Sequence, residues 1–176
     1  MNFYVRRFNL YLLLMLAVAA APGCASWHKK DKDKDIGAIR IHMESPPSDQ
    51  SQSIQLLRSS PVVVVVGDEP VLTEDNIIAA TLLETPGGFA IRIKFDETGA
   101  WMLEQNTAAY AGKHMVIFGQ WGSHVSEGRW LAAPLIVHRI ADGTLTFTPD
   151  ASREEAAKLV KGLNVAAKKN IDKTNK

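Results

Sequence analysis

Residues 80–95, Ala-Thr-Leu-Leu-Glu-Thr-Pro-Gly-Gly-Phe-Ala-Ile-Arg-Ile-Lys-Phe, decide the fold class. The run divides at Thr85-Pro86-Gly87-Gly88, whose residues are typical of a turn. After the turn, apolar and polar residues alternate through Phe89–Phe95, which is the pattern of a strand with one buried and one wet face. The stretch therefore predicts a β-hairpin over Ala80–Glu84 and Phe89–Phe95.

Further strands are predicted on both sides of this hairpin from short apolar or alternating runs. They are Ile36–Glu44, Ile54–Arg58, Pro61–Val66, Lys113–Trp121, Arg129–Ile140 and Thr144–Thr148. The valines of Pro61–Val66 predict a strand covered on both faces. Pro134 within its run indicates an edge strand or a bulge. Residues 45–53 and 122–128 are polar and predict exposed loops.

Two main helices complete the predicted fold. Asp96 or Thr98 caps a helix that runs to about Ala111 and stops at Gly112, and Trp101 on this helix is expected to pack. Ser152-Arg-Glu-Glu155 is a capping box that begins the last helix, which Gly162 is expected to end or weaken. Strands with one helix between them and one after predict an α+β fold with a mostly antiparallel sheet. Both helices would lie on one face and leave the other face to a partner.

Residues 1–23 predict a secretory signal peptide. Arg6 and Arg7 precede an unbroken apolar run, Leu10–Ala21. As a helix this run spans roughly 18 Å, which is too short for a hydrocarbon core of about 30 Å. An uncleaved anchor helix and a twin-arginine signal are the alternatives.

Cys24 is the only cysteine of the chain and directly follows Ala21-Pro-Gly. This position resembles the lipobox of bacterial lipoproteins, whose cysteine is acylated and anchors the protein to a membrane. We expect a membrane anchor at Cys24 on the periplasmic side of the cell envelope, with inner and outer membrane both open. A single cysteine excludes an internal disulfide.

Residues 24–36 predict a charged, flexible tether, because alternating Lys and Asp cannot bury enough surface to order the chain. Residues 37–168 are predicted to form one α+β domain, and residues 169–176 a frayed tail. Without Arg6 and Arg7, 18 basic residues stand against 19 acidic ones. This balance argues against a nucleic-acid partner.

The composition gives no sign of catalysis. A cysteine nucleophile inside the domain and a Gly-x-Ser-x-Gly elbow are both lacking. A weaker hypothesis is an enzyme or metal protein that uses His114, His124 and His138, but no two histidines have helical metal-pair spacing. We expect no enzyme activity, no cofactor and no metal.

A candidate contact surface surrounds the loop at residues 122–128. Trp121 precedes the loop, His124 lies within it, and Arg129 and Trp130 follow it. Tryptophan at a loop mouth is a typical anchor for a protein partner. The alternative is that both tryptophans pack beneath the loop.

The order of the pieces from Thr73 to Leu163 resembles the head subdomain of the first periplasmic domain of SecD, the accessory subunit of the bacterial protein-export machinery. The matching pieces are Thr-Glu-Asp-Asn-Ile (73–77), Ile-Arg-Ile-Lys-Phe-Asp-Glu-Thr-Gly-Ala (91–100), Thr107 with Ala-Ala-Tyr-Ala-Gly-Lys (108–113), Ala-Pro-Leu-Ile (133–136), Ile-Ala-Asp-Gly (140–143), Phe147, and Glu155-Ala156 with Leu159. The loop around Ser123–Gly128 is longer and wetter than the usual turn of the family.

The resemblance implies a SecD-head-like fold and contact with polypeptide. It does not imply translocase activity, because SecD works through transmembrane segments that this chain is not expected to have. The resulting hypothesis is a lipid-anchored, non-enzymatic module that binds a protein or an unfolded polypeptide, associated with protein export. The alternative is a structural envelope lipoprotein that docks or dimerises without binding unfolded polypeptide. Its oligomeric state is left open.

Overall fold

The computed structural model describes residues 36–56, 61–122 and 127–174. These residues fall within one compact unit that spans residues 33–176. The predicted signal peptide, the lipidation site at Cys24, the tether and His124 lie outside the described residues.

The described residues form nine strands, one 3₁₀ turn and two helices. In chain order these are β1 (Ile36–Met43), β2 (Ser51–Leu56), β3 (Val62–Gly67), β4 (Leu72–Thr73), the 3₁₀ turn Glu74–Asn76, β5 (Ile77–Thr85), β6 (Gly88–Phe95), α1 (Glu97–Ala109), β7 (Met115–Gly122), β8 (Glu127–Ala132), β9 (Thr144–Phe147) and α2 (Arg153–Thr174). The strands pair into sheets of order β4-β1-β7-β8, β2-β3 and β5-β6-β9, and every pairing is antiparallel. The predicted α+β fold with a mostly antiparallel sheet and two main helices is confirmed.

The main core lies between α2 and the two larger sheets. The helix packs on β1 and β7 of one sheet and on β5 of the other. Its buried stripe is Ala156, Leu159, Leu163 and Ala167. Because these residues recur every three or four positions, they face one side of the helix and bury apolar area against both sheets.

Two capping motifs predicted from the sequence are present. Asp96 caps α1 by accepting a hydrogen bond from the Gly99 amide at 2.7 Å. At the start of α2, Ser152 Oγ accepts from the Glu155 amide, and Glu155 Oε2 accepts from the Ser152 amide. These reciprocal bonds satisfy donors that have no partner within a first helical turn.

The last helix is longer than predicted. Gly162 lies within it and does not end it, and the expected frayed tail is helical through Thr174. Ala167 is buried, and the Asn170 side chain donates to the carbonyls of Glu74 and Asp75. Tertiary contacts therefore hold a polar segment whose sequence alone favours fraying.

Strand β3 is covered on one face only, so the prediction of two-sided burial is wrong. Val64 and Val66 are buried, whereas Val63 is 67% exposed. The β2-β3 ribbon packs through its inner face on Val116 of β7, and among the described residues no element covers its outer face. Trp101 on α1 is likewise 62% exposed and does not pack as expected.

Candidate functional site

Trp121 faces the core. Its side chain is 1% exposed, and its Nε1 donates to Glu127 Oε2 at 3.1 Å. The Arg129 guanidinium lies 5.0 Å from the centre of the Trp121 ring, which is cation–π geometry. Both residues lie on the sheet face that packs against α2, so Trp121 cannot serve as an exposed anchor.

Arg129 connects β8 to the start of α2. Its Nη2 donates to Glu155 Oε2 at 2.6 Å, and its Nε donates to the Asp150 carbonyl at 3.1 Å. The hydrogen bond from Arg129 is the main reason that the pKa of Glu155 is lowered to about 2. Arg129 therefore holds β8 against the start of α2, and its contact with a partner stays a prediction.

Trp130 lies on the opposite face of the same sheet. Its ring meets Phe118 edge to face with centroids 5.3 Å apart, and it meets His42 at 5.4 Å. His42 Nδ1 donates to the Gly67 carbonyl at 2.8 Å, and burial lowers the pKa of this histidine. The rings of His42, Phe118 and Trp130 thus form an aromatic group that packs at the margin of the β2-β3 ribbon.

A cavity of about 360 Å³ adjoins this aromatic group. It is lined by Arg40, His42, Gln52, Asp68, Pro70, Phe118 and Trp130. Because strand neighbours alternate between faces, Trp121 and Trp130 lie on opposite sides of the sheet. The three described members of the predicted surface, Trp121, Arg129 and Trp130, are therefore divided between two faces, and of these three Trp130 lines the cavity.

A larger groove lies elsewhere, between β9 and the segment that follows β8. Its volume is about 870 Å³, and residues 134–142 and 144–146 line it together with Arg92 and Met115. Leu135 and Val137 in its wall are 50% and 73% exposed. Exposed apolar side chains in a concave site are typical of a binding surface.

The groove carries more positive than negative side chains. Arg92 Nε donates to Thr146 Oγ1 at 3.5 Å, and Arg139 pairs with Glu104 at 3.1 Å. Asp142 is the acidic residue of the lining, and its Oδ1 accepts from the Thr144 amide at 2.9 Å. Among the described residues, no carboxylate pairs with Arg92.

Sequence reasoning missed this groove. The run Arg129–Ile140 was predicted as extended, but the strand β8 ends at Ala132. The available signal in the sequence was Pro134 followed by the triplet Leu-Ile-Val. In the structure, Ile136 is buried and its apolar neighbours Leu135 and Val137 are exposed. Periodicity alone does not reveal that the outward residues face an unfilled groove.

Two of the three described histidines, His42 and His114, are hydrogen-bonded to other groups, and His138 is exposed in the groove lining. His114 Nδ1 bonds Glu44 Oε2 at 2.7 Å, and this contact is the main reason that the pKa of Glu44 is lowered. Among residues 36–56, 61–122 and 127–174, no three His, Cys, Asp or Glu side chains lie together as metal ligands. Over the same residues, neither helix has the length and apolar character to span a bilayer.

Comparison with known proteins gives one family and a matching fold. The family described as "SecDF, P1 head subdomain" matches residues 50–167, more than half of the chain. A solved SecDF, a membrane component that enhances protein export, is 17% identical with a TM-score of 0.52 over 74% of this chain and 63% of that one. SecDF in its super-membrane-facing form is 18% identical with a TM-score of 0.53 over 73% of this chain and 18% of that one.

The chain thus spans less than two thirds of either SecDF chain. At these identities the likeness is one of fold. No curated protein matches the chain significantly.

Proposed function

The chain belongs to the SecDF P1 head subdomain family, and from that membership we propose that it is a non-enzymatic module that binds polypeptide at the cell envelope, in association with protein export. The observation that carries this proposal is the open groove beside β9. The groove has a volume of about 870 Å³, and Leu135 and Val137 are exposed in it. Both features suit the binding of a polypeptide segment.

The module would be tethered by a lipid on Cys24. The support is in the sequence: a short apolar run ends at the only cysteine, and a charged tether follows it. Metabolic labelling with a radioactive fatty acid tests this anchor. Wild-type protein should incorporate the label and Cys24→Ala should not; an unlabelled wild-type protein, or equal labelling of both, would overturn the proposal.

Site-specific photocrosslinking of the full-length protein in cells tests the groove. Val137 and Val63 are a matched pair, since both are strongly exposed valines and Val63 lies on the outer face of the β2-β3 ribbon, outside the groove lining. A crosslinker at residue 137 should capture many secreted polypeptides, and one at residue 63 should capture few.

Equal capture at both positions would contradict polypeptide binding in the groove. A single product of twice the monomer mass would instead favour the alternative of a structural lipoprotein that dimerises.

A further inference from the structure

We propose that the groove binds an extended polypeptide segment by strand addition, with main-chain hydrogen bonds to the free edge of β9 and to the outward backbone groups of the segment after β8. This inference rests on the proposed function, since it specifies how the same groove recognises its ligand. It follows from the backbone hydrogen bonds that each groove wall makes within the protein. These bonds show which N–H and C=O groups point away and can bond a ligand.

The first wall is the segment after β8. The Met115 amide donates to the Pro134 carbonyl at 2.9 Å, and the Ile136 amide donates to the Lys113 carbonyl at 2.8 Å. His114 and Leu135 form an isolated antiparallel bridge between these bonds. Since alternate residues of an extended segment point their amides to opposite sides, the N–H and C=O of Leu135 point away from β7.

The second wall is β9, an outer strand of its sheet. The Phe95 amide donates to the Gly143 carbonyl at 3.0 Å, and the register pairs Ile93 with Leu145. Alternation then turns the N–H and C=O of Thr146 away from β6. Among the described residues, the backbone of Thr146 has no partner on that side.

Both edges line one groove, and a short turn at Asp142-Gly143 joins them. A segment between them could bond Thr146 on one side and Leu135 on the other. Main-chain bonds tolerate many sequences, whereas Leu135, Val137 and Arg92 add a preference for apolar and acidic side chains. The substrate class is therefore an unfolded polypeptide in extended conformation.

Binding of full-length protein to reduced, carboxamidomethylated α-lactalbumin, a permanently unfolded and acidic probe, tests the proposal. Thr146→Pro removes the outward N–H but no bond to β6, and proline is tolerated at such edge positions. We expect it to weaken binding by about tenfold or more. Thr146→Val is the matched control, since it keeps the amide and should leave the affinity within about twofold.

Val137→Pro provides a second, independent test on the other wall. The Ile136 amide donates to the Lys113 carbonyl, so alternation turns the Val137 amide to the opposite side, toward the groove. The variant should also bind the probe more weakly, and since the side chain is 73% exposed it should keep the native fold. Equilibrium unfolding verifies that each variant is folded. The amide of Thr146 should also exchange at least several-fold more slowly in wild-type protein when the probe is bound.

The outcomes separate the two proposals. If the probe binds wild type and both proline variants equally, the groove does not act by strand addition, while polypeptide binding itself stands. If the probe does not bind the wild-type protein, both proposals are overturned. Equal weakening by Thr146→Val and Thr146→Pro would indicate side-chain recognition and would also overturn strand addition.

Discussion

The sheet β5-β6-β9 has two outer strands, and the protein closes one of them and leaves the other open. On β5, the Ala80 amide donates to Asn164 Oδ1 at 2.9 Å, and Asn164 Nδ2 donates to the Ala80 carbonyl at 2.9 Å. One side-chain amide of α2 thus takes the place of a neighbouring strand. A free strand edge can pair with another chain, and the two bonds from Asn164 occupy the backbone groups of Ala80 that would otherwise be available.

On β9, the Thr144 amide is bonded by Asp142 within the turn, but Thr146 borders the groove without a comparable side-chain partner among the described residues. The difference is one of position, because α2 passes alongside β5 and makes no comparable contact with β9. Which edge can receive a partner is therefore set by where α2 packs.

The largest expected effect on the free energy of unfolding comes from a substitution that displaces α2 from its packing contact with β1. A Cβ on Gly37 would lie 2.4 Å from the Leu163 amide nitrogen and 2.5 Å from the Gly162 carbonyl carbon. Since both are backbone atoms, the helix itself must shift. Gly37→Ala should lower the free energy of unfolding by about 3 kcal/mol, measured by urea denaturation.

Gly67→Ala is the matched control, because a Cβ there meets nothing within 4 Å. It should change the free energy of unfolding by less than about 0.5 kcal/mol. If both substitutions cost the same, α2 does not depend on close backbone approach to β1.

An intermediate effect is expected from opening the β5 edge directly. Asn164→Leu keeps the side-chain size but leaves the Ala80 N–H and C=O without their partners, at a cost of about 2–3 kcal/mol. The Ala80 amide should exchange faster with solvent by more than the loss of global stability explains.

Asn106→Leu serves as the comparison, since the Asn106 side chain donates only to the Met102 carbonyl within α1. Its effect should stay below about 1 kcal/mol. Unchanged exchange at Ala80 in the Asn164 variant would show that the edge is closed by another group.

The sequence predicted the positions of helices and strands more reliably than it predicted which of their faces are buried. The Ser152 capping box and the alternation of Ile91–Phe95 depend on local spacing and appear as predicted, although Ala90, expected on the wet face, is buried. For Trp121 the sequence left an exposed anchor and a packed residue as alternatives, and the side chain is buried, whereas Trp101 was expected to pack and is exposed. Local patterns give periodicity, but burial depends on which distant element packs on a face.

The candidate site was harder to predict for the same reason. Leu135 and Val137 follow Pro134 in an apolar run, which predicts an edge strand or a bulge but does not show which side chains are exposed. Their exposure follows from the separation of the segment after β8 from β9, which is a long-range property of the two sheets. Asn164 gives no local signal at all, since its partner lies far away in the chain.

The smallest expected effect concerns the first turn of α2, at the end of the helix away from Asn164. Glu155 has its pKa lowered from 4.5 to about 2 by its bond to Arg129, so folding favours the ionised form. Its contribution is therefore complete above pH 4.5 and is lost as the pH falls toward 2. Glu155→Gln should cost about 1–2 kcal/mol at pH 7.

The difference in unfolding free energy between wild type and Glu155→Gln should narrow as the pH falls from 4.5 to 2. The exposed neighbour Glu154 is the control, and Glu154→Gln should cost less than about 0.5 kcal/mol at any pH. In both variants the hydrogen exchange of the Ala80 amide should change only as much as the global free energy of unfolding explains. The reason is that Asn164 lies more than two turns further along α2. A specific loss of Ala80 protection in Glu155→Gln would mean that the β5 edge is held by the whole helix and not by Asn164.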